Sequence, residues 1–323
     1  MSSQANPREI TTNPRTSDKI FRSIVTGVGM FAFAILLLIG GFLAFRGFEV
    51  FKAEGFKFLT TSDWFLNVDE AGKQTYKFGM AAMLLGTVLI ATTALVIGVP
   101  LSVLTALFLN FYAPNKIKKL LSAVIDLMAA FPSILYGLWG YFVVMPMAIH
   151  WSKILNKYFG WIPIFKVDVP FYERSPFLAG VVLAIMIIPI VTSVAREIFS
   201  QAPLDRIQAA YALGATRWAM IKTVVLPFGS SGVVGGAMLG LGRAFGETVA
   251  VYSILNIVFK PNWHILFGMG GNVASMIVLK WGEASPIETK ALLAAGFVLF
   301  LLTLIVNYLA DFIVNRAVKS GRA

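Results

Sequence analysis

An arginine and a glutamate lie four residues apart inside one long apolar stretch, GLGRAFGETVAVYSILN, residues 240–256. In a helix, Arg243 and Glu247 would share one side and could form an ion pair. If this stretch crosses a membrane both charges are costly, since an arginine at the bilayer centre costs roughly 2.5–3.5 kcal/mol on insertion scales. Two interpretations follow: a closed ion pair that holds a helix bundle together, or residues that contact a charged solute as it crosses.

The chemistry of these side chains favours an oxyanion as that solute. A guanidinium presents a planar fork of donors and could hold a phosphate-like anion through two parallel hydrogen bonds. Glu247 could neutralise Arg243 or accept a hydrogen bond from the solute. Phosphate near neutral pH still carries an O–H group and sulfate does not, so the carboxylate favours phosphate. The hydroxyl of Thr248 could contact the solute or bond to a neighbouring helix.

The composition is that of an integral membrane protein. The chain has 323 residues, of which 58% are hydrophobic and 13% charged, and its mean hydropathy is +0.78. Values this apolar lie outside the usual range of soluble domains. Cysteine is absent, and we predict neither a disulfide nor a metal site. The net charge of +11 is better explained by basic loops beside a lipid bilayer than by nucleic-acid binding.

Apolar runs predict an all-α fold with six transmembrane helices, because each crossing takes about 20 residues. The runs cover residues 24–45, 78–112, 120–147, 177–200, 223–258 and 291–314. Lysine and arginine are densest in the short connections on one side, which places both termini in the cytoplasm. We therefore expect a tail at 1–23, a membrane domain at 24–314 with external loops at 46–77, 148–176 and 259–290, and a tail at 315–323.

Three glycines precede the charged pair at four-residue intervals, Gly232, Gly236 and Gly240. Small residues at this spacing let two membrane helices approach closely. The charges therefore belong to a helix that packs inside the bundle.

The cytoplasmic connection at 203–220 predicts two short helices with a bend between them. Pro203 and Asp205 suit the start of a helix, since an acidic group favours its positive end. Gly214 can end that helix in a left-handed conformation, and Thr216 can cap the next one. On composition alone, an ordinary amphipathic helix at the membrane interface is the alternative.

The same connection resembles the EAA loop of ABC importer permeases. That motif is Glu-Ala-Ala, three residues, Gly, nine residues, an aliphatic residue, one residue and Leu-Pro; its positions here are Gln208, Ala209, Ala210, Gly214, Val224, Leu226 and Pro227. Gln208 stands in place of the glutamate and Val224 in place of the usual isoleucine.

The EAA resemblance implies that a coupling helix docks on a separate ATPase subunit. The residues implied in coupling are Gln208, Ala209, Ala210, Gly214 and Arg217. The sequence contains no G-x-x-x-x-G-K-[ST] phosphate loop. We therefore expect a transport subunit and not an enzyme: it binds no cofactor itself, and the partner ATPase uses ATP and Mg²⁺.

Two longer stretches, GAMLGLGRAFGETVAV and LAGVVLAIMIIPIVTSVAREIF, resemble the PstC-type permeases of phosphate ABC importers, whose hallmark is Arg-x-x-Gly-Glu-Thr after the coupling loop. The resemblance implies a type I ABC importer permease in the plasma membrane of a prokaryote, with phosphate as the solute. It also implies a second homologous permease subunit, two ATPase subunits and an external phosphate-binding protein. In that family the matching arginine and glutamate, here Arg243 and Glu247, are implicated in phosphate passage.

Other functions stay open at this stage. An importer of sulfate or another oxyanion would share the guanidinium chemistry. An ion-driven secondary carrier and a structural or sensory membrane subunit are less favoured alternatives. Purification together with an ATPase partner would separate an importer from a carrier.

Overall fold

Six helices in the described part of the chain are long and apolar enough to cross a membrane. The structure is a computed structural model and describes residues 15–68 and 74–320. The spans are Thr16–Glu54, Ala81–Phe111, Ser133–Phe159, Pro176–Ser200, Arg217–Gly246 and Pro286–Ala310. The prediction of an all-α membrane fold with six spans is confirmed.

The helices are interrupted by one short β-hairpin. In chain order the elements are α1 Thr16–Glu54, α2 Lys57–Thr60, β1 Trp64–Val68, β2 Gln74–Phe78, α3 Ala81–Phe111, α4 Asn115–Ala130, α5 Ser133–Trp139, α6 Met145–Phe159, α7 Pro176–Ser200, α8 Leu204–Ala212, α9 Arg217–Met220, α10 Leu226–Gly246, α11 Val249–Ile254, α12 Val273–Trp281 and α13 Pro286–Ser320. A π-helical segment, Gly140–Val144, joins α5 to α6. A second, Ile221–Val225, joins α9 to α10.

Several span boundaries differ from the apolar runs. The third run was predicted as one helix over 120–147, and this is wrong because Phe131 is extended (ψ 135°) before Pro132. Proline disfavours the helical conformation of the residue before it, so α4 ends there and the third span begins at Ser133. The first span begins at Thr16, inside the predicted tail, and α13 continues to Ser320. Residues 1–14 and 321–323 of the predicted tails lie outside the described residues.

Helix α7 lies at the centre of the bundle, packed parallel to α3 and antiparallel to α10. Close approach to α3 depends on small residues: a Cβ at Gly98 would lie 2.9 Å from Ile187, and one at Gly180 would lie 2.6 Å from Thr93. Near the far end, the Asn110 amide donates to the backbone oxygen of Arg196 at 2.7 Å. These contacts fix the two helices in one register over most of their length.

The hairpin and α8 mark opposite ends of the bundle. The hairpin pairs β1 with β2 in antiparallel register directly before α3, which is about 46 Å long at 1.5 Å per residue. At the far end of α3, Arg217 on α9 donates to the Phe111 backbone oxygen at 3.1 Å. We call these two regions the hairpin end and the α8 end.

At the hairpin end, the chain between α11 and α12 turns back into the bundle. Asn272, 1% exposed, donates through Nδ2 to the backbone oxygen of Glu247 at 2.7 Å. The next amide, Val273 N–H, donates to Thr87 Oγ1 on α3 at 3.0 Å. A Cβ at Gly86 would lie only 2.0 Å from the Gly271 oxygen. Part of the segment expected as a loop at 259–290 is thus buried against α3.

Candidate functional site

The fifth apolar run is not one continuous helix, and its interruption falls on Glu247. Helix α10 ends at Gly246, Glu247 is extended (φ −68°, ψ 122°), and α11 begins two residues later. The Glu247 carboxylate accepts the Ala250 N–H of the first turn of α11 at 3.3 Å. The side chain is almost buried, at 8% exposed. The expectation that Arg243 and Glu247 share one helical face is therefore wrong.

The guanidinium of Arg243 makes no hydrogen bond or ion pair with the residues that the structure describes. No described carboxylate lies within 4 Å of it, and its Nε is buried without a partner. Buried polar groups in folded proteins are nearly always paired, and Arg243 is only partly buried, so its guanidinium is available to an acceptor from outside the described residues.

The helix break brings complementary partial charges to this point. Arg243 lies in the last turn of α10, where the helix carries a partial negative charge, and Glu247 lies at the positive start of α11. Irregular backbone at membrane depth is tolerated where it is buried in protein or lines a water-filled cavity. The Thr248 hydroxyl donates a hydrogen bond to the Gly246 backbone oxygen at 3.0 Å. The arrangement can bind an anion at Arg243 without first breaking an ion pair.

Helix α10 has one glycine face packed on α7 and another that is open. The packed face is Gly232, Gly236 and Gly240, where an added Cβ would lie 2.0 to 3.2 Å from side chains of α7. Gly235, Gly242 and Gly246 have nothing within 4 Å of an added Cβ. Val249 and Tyr252 on α11 are exposed, and so is Asn256 just beyond the end of this helix.

The α8 end presents an apolar surface with no cover from the described residues. Helix α8 has no buried residue, Leu213 is 89% exposed and Trp218 is more than half exposed. Ala209 is also exposed, while Ala210 is partly buried against the core. Gln208 lies on the exposed side as well. Apolar side chains in this arrangement are typical of a protein–protein contact surface.

The local conformation of this surface agrees with the sequence. Gly214 has φ +82°, which lets α8 end in a left-handed turn. The Thr216 hydroxyl accepts the Ala219 N–H at 3.2 Å and caps α9. Arg217 stacks over the ring of Tyr112 at 5.2 Å, in addition to its bond to α3. Both local predictions, the glycine end and the threonine cap, are confirmed, and α9 is fixed to a transmembrane helix.

The comparison with protein families identifies the class of this protein. Residues 98–319 match the model of the binding-protein-dependent transport system inner membrane component. The chain belongs to that family. Together with the six apolar helices, this makes it a multi-pass membrane protein.

Curated relatives cover almost the whole chain. The phosphate transport system permease protein PstC 2 of Mycobacterium tuberculosis is 41% identical over 311 residues, covering 95% of this chain and 93% of the relative. The PstC protein of Mycobacterium leprae is 43% identical over 312 residues, covering 95% of both. That of Pasteurella multocida is 36% identical over 313 residues, covering 95% and 94%. The resemblance to PstC-type permeases is confirmed.

Solved structures share the fold at low sequence identity. A permease chain of the bacterial alginate ABC transporter, crystallised with an alginate-bound periplasmic protein, aligns with a TM-score of 0.59 at 16% identity, covering 95% of this chain and 99% of that one. A chain of the MetNI methionine ABC transporter aligns with a TM-score of 0.51 at 19% identity, covering 74% and 94%. The fold is that of a type I ABC importer permease.

Sequence reasoning missed the residues that hold the helix break in place. Asn272 and Gly86 lie far from Glu247 in the chain, and neither stands out in an apolar sequence. One local signal was present: Asn272 and Ser275 form a capping box at the start of α12, and such a pair before an apolar run predicts a helix start. No local sequence pattern predicts the contact of Asn272 with Glu247.

Proposed function

We propose that this chain is the permease subunit of an ATP-driven ABC importer that carries inorganic phosphate across the plasma membrane of a prokaryote. The observation that carries the proposal is the guanidinium of Arg243, which has no partner among the described residues and lies at a helix break. The chain is also 41% identical to a phosphate permease over 95% of its length. An unpaired arginine inside a membrane bundle is costly, and a passing oxyanion supplies the missing partner.

In the proposed mechanism Arg243 binds phosphate through two of its N–H groups. A bidentate contact orients the anion as well as neutralising it. Because no carboxylate among the described side chains lies within 4 Å of Arg243, phosphate displaces no competing anion from that part of the chain.

Glu247 contributes to the selection of phosphate over sulfate. Its carboxylate is held by the Ala250 N–H, so its position beside the pathway is fixed. A carboxylate can accept a hydrogen bond from the O–H of monohydrogen or dihydrogen phosphate, while it repels sulfate, which has no proton to donate. Thr248 would line the same region.

Coupling to ATP occurs at α8 and α9. The exposed surface around Ala209, Ala210 and Gly214 docks on an ATPase subunit, with Gln208 and Arg217 at its margins. Closure of two ATPase subunits on ATP and Mg²⁺ moves α8, and α9 transmits the movement to α3 through the Arg217 contact. The spans then open the Arg243 region alternately to each side, as rigid elements that reorient about interfaces. This chain itself binds no nucleotide.

The remaining partners follow from the open surfaces and the direction of transport. A second homologous permease subunit covers the open glycine face of α10. The α8 end and both termini face the cytoplasm, in agreement with the basic residues there. The hairpin end faces outward and receives phosphate from a soluble binding protein.

Uptake of radiolabelled phosphate into vesicles that contain the complex tests the proposal. The complex is purified through a tag on this chain and supplied with its binding protein outside and ATP inside. We expect uptake that requires ATP and is not reduced by a tenfold excess of sulfate. Uptake without ATP would indicate a secondary carrier, and competition by sulfate would indicate a general oxyanion importer.

A further inference from the structure

Arg174 is held in an unfavourable backbone conformation at the hairpin end. It directly precedes Ser175, which caps α7, and its φ of +52° is the one left-handed value among the described residues other than glycine. A bulky side chain rarely adopts this conformation, and such residues concentrate at functional sites. The conformation has to be maintained by the contacts of the side chain and the surrounding chain.

The contacts of Arg174 join three separate parts of the bundle. It donates through one terminal nitrogen to Tyr141 Oη at 3.0 Å and through the other to Asn256 Oδ1. Its guanidinium also lies 4.8 Å from the centroid of the Tyr141 ring. Tyr141 belongs to the π-helical segment after α5, and π-helical turns also concentrate at functional sites. Two irregular backbone segments thus meet at one guanidinium.

The partners of Arg174 do not neutralise its charge. Tyr141 and Asn256 are neutral, and no carboxylate whose side chain the structure describes lies within 4 Å of the guanidinium. The neighbouring Glu173 is exposed and makes no ion pair with it. Guanidinium carries five N–H donors, so most of the donors stay available for another acceptor.

Asn256 adds further donors at the same place. Because guanidinium has donors but no acceptor, the amide of Asn256 must turn its oxygen toward Arg174. Its NH₂ group is then left as a donor, and Asn256 is exposed. Positive charge, amide N–H groups and a phenol hydroxyl together are the donor set of an oxyanion site.

This donor cluster and Arg243 flank the same short helix. Asn256 follows the end of α11, and Glu247 with Arg243 precedes its start. Six residues of helix are about 9 Å long, and their exposed side runs through Val249 and Tyr252 toward Asn256. Asn256 of the cluster and Arg243 thus flank opposite ends of α11.

We propose that Arg174, Tyr141 and Asn256 form an entry site that binds the oxyanion at the hairpin end before it reaches Arg243. The inference rests on the proposed function for the identity of the anion, inorganic phosphate. Arg174 contributes the charge, and the other two residues orient it and add donors. The two anion sites lie at opposite ends of α11, so the anion crosses the membrane in shorter steps.

The test compares Arg174→Gly and Arg174→Lys with the wild-type complex. Glycine loses the contacts with Tyr141 and Asn256 but relieves the left-handed conformation; because these two effects on stability have opposite signs, this variant is expected to fold. We expect at least about a tenfold loss of phosphate uptake, as for loss of a charge-assisted contact, with an unchanged melting temperature and retained stimulation of ATPase activity by the binding protein. Lysine keeps the charge without the fork, so partial uptake should return.

The matched control is Lys166→Gln, which removes one positive charge from the same connection. Lys166 is exposed and pairs with Asp168 at 2.9 Å, so uptake should match the wild type. Wild-type uptake in Arg174→Gly would overturn the entry site and leave the proposed function intact. A loss of uptake together with a lower melting temperature would also overturn it, because Arg174 would then be structural. A wild-type complex that imports no phosphate would overturn both.

Discussion

Replacing Arg243 by methionine should stop transport without weakening the fold. Methionine is unbranched and flexible and fills irregular space well, so the substitution removes the charge while keeping most of the volume. The guanidinium makes no hydrogen bond or ion pair with the described residues. The variant therefore loses no hydrogen bond or ion pair to the described part of the chain.

Replacing Arg243 by methionine should have opposite effects on stability and on transport. Removing an unpaired arginine from a membrane bundle should leave the free energy of unfolding unchanged or raise it, by up to about 3 kcal/mol. In transport, two charge-assisted hydrogen bonds to phosphate are lost, each about 1.5–3 kcal/mol. At about 1.4 kcal/mol for each tenfold change in rate, uptake should fall by more than about 100-fold.

The assay measures phosphate uptake and the melting temperature on the same preparation of complex. Arg196→Met is the matched control: Arg196 lies on α7 and faces Asp126 at 3.9 Å, with both side chains partly exposed. Such a pair contributes about 1 kcal/mol or less, and the control should transport phosphate. Normal uptake in Arg243→Met would refute the pathway role, and a large loss of stability would show that the guanidinium is structural.

Three other perturbations test the helix break, the docking surface and selectivity. Gly86→Ala places a Cβ 2.0 Å from the Gly271 oxygen; we expect a loss of about 1–3 kcal/mol in thermal unfolding, as for other overpacked sites. Ala209→Trp should weaken binding of the ATPase by about tenfold or more in pull-down titrations, because a bulky side chain disrupts a close contact. Glu247→Gln keeps an acceptor for the Ala250 N–H but loses the charge, so competition of sulfate with phosphate uptake should increase.

The substitutions at Gly86, Ala209 and Glu247 each have an outcome that would contradict the prediction, and the first two have a matched control. Gly29→Ala, where nothing lies within 4 Å of the added Cβ, should not lower stability; an equal effect at both glycines would contradict the role of Gly86. Ala34→Trp on the exposed side of α1 should leave ATPase binding intact, and unchanged binding in the Ala209 variant would reject the docking surface. Unaltered selectivity in the Glu247 variant would exclude the carboxylate from anion selection.

The sequence predicted the features that depend on local chemistry. Hydropathy predicted six spans because each span must bury about 20 apolar residues in lipid. Gly214 and Thr216 predicted the end of α8 and the start of α9, because left-handed backbone and helix caps depend on single residue types. The span boundaries were less well predicted: the apolar run through Phe131 and Pro132 joined two helices that proline separates.

The tertiary structure decided the geometry around Arg243. Apart from Arg243 and Glu247, the run at 223–258 reads as one apolar stretch, and Gly246 is a weak signal, since an isolated glycine also occurs in continuous helices. The break forms at Glu247 because Asn272, 25 residues later, donates to its backbone oxygen, and Gly86 on α3 leaves room for that segment. Sequence alone determined that an arginine and a glutamate lie in a membrane span. Their separation depends on a long-range contact, because the hydrogen bond to the Glu247 backbone oxygen comes from Asn272 in another segment.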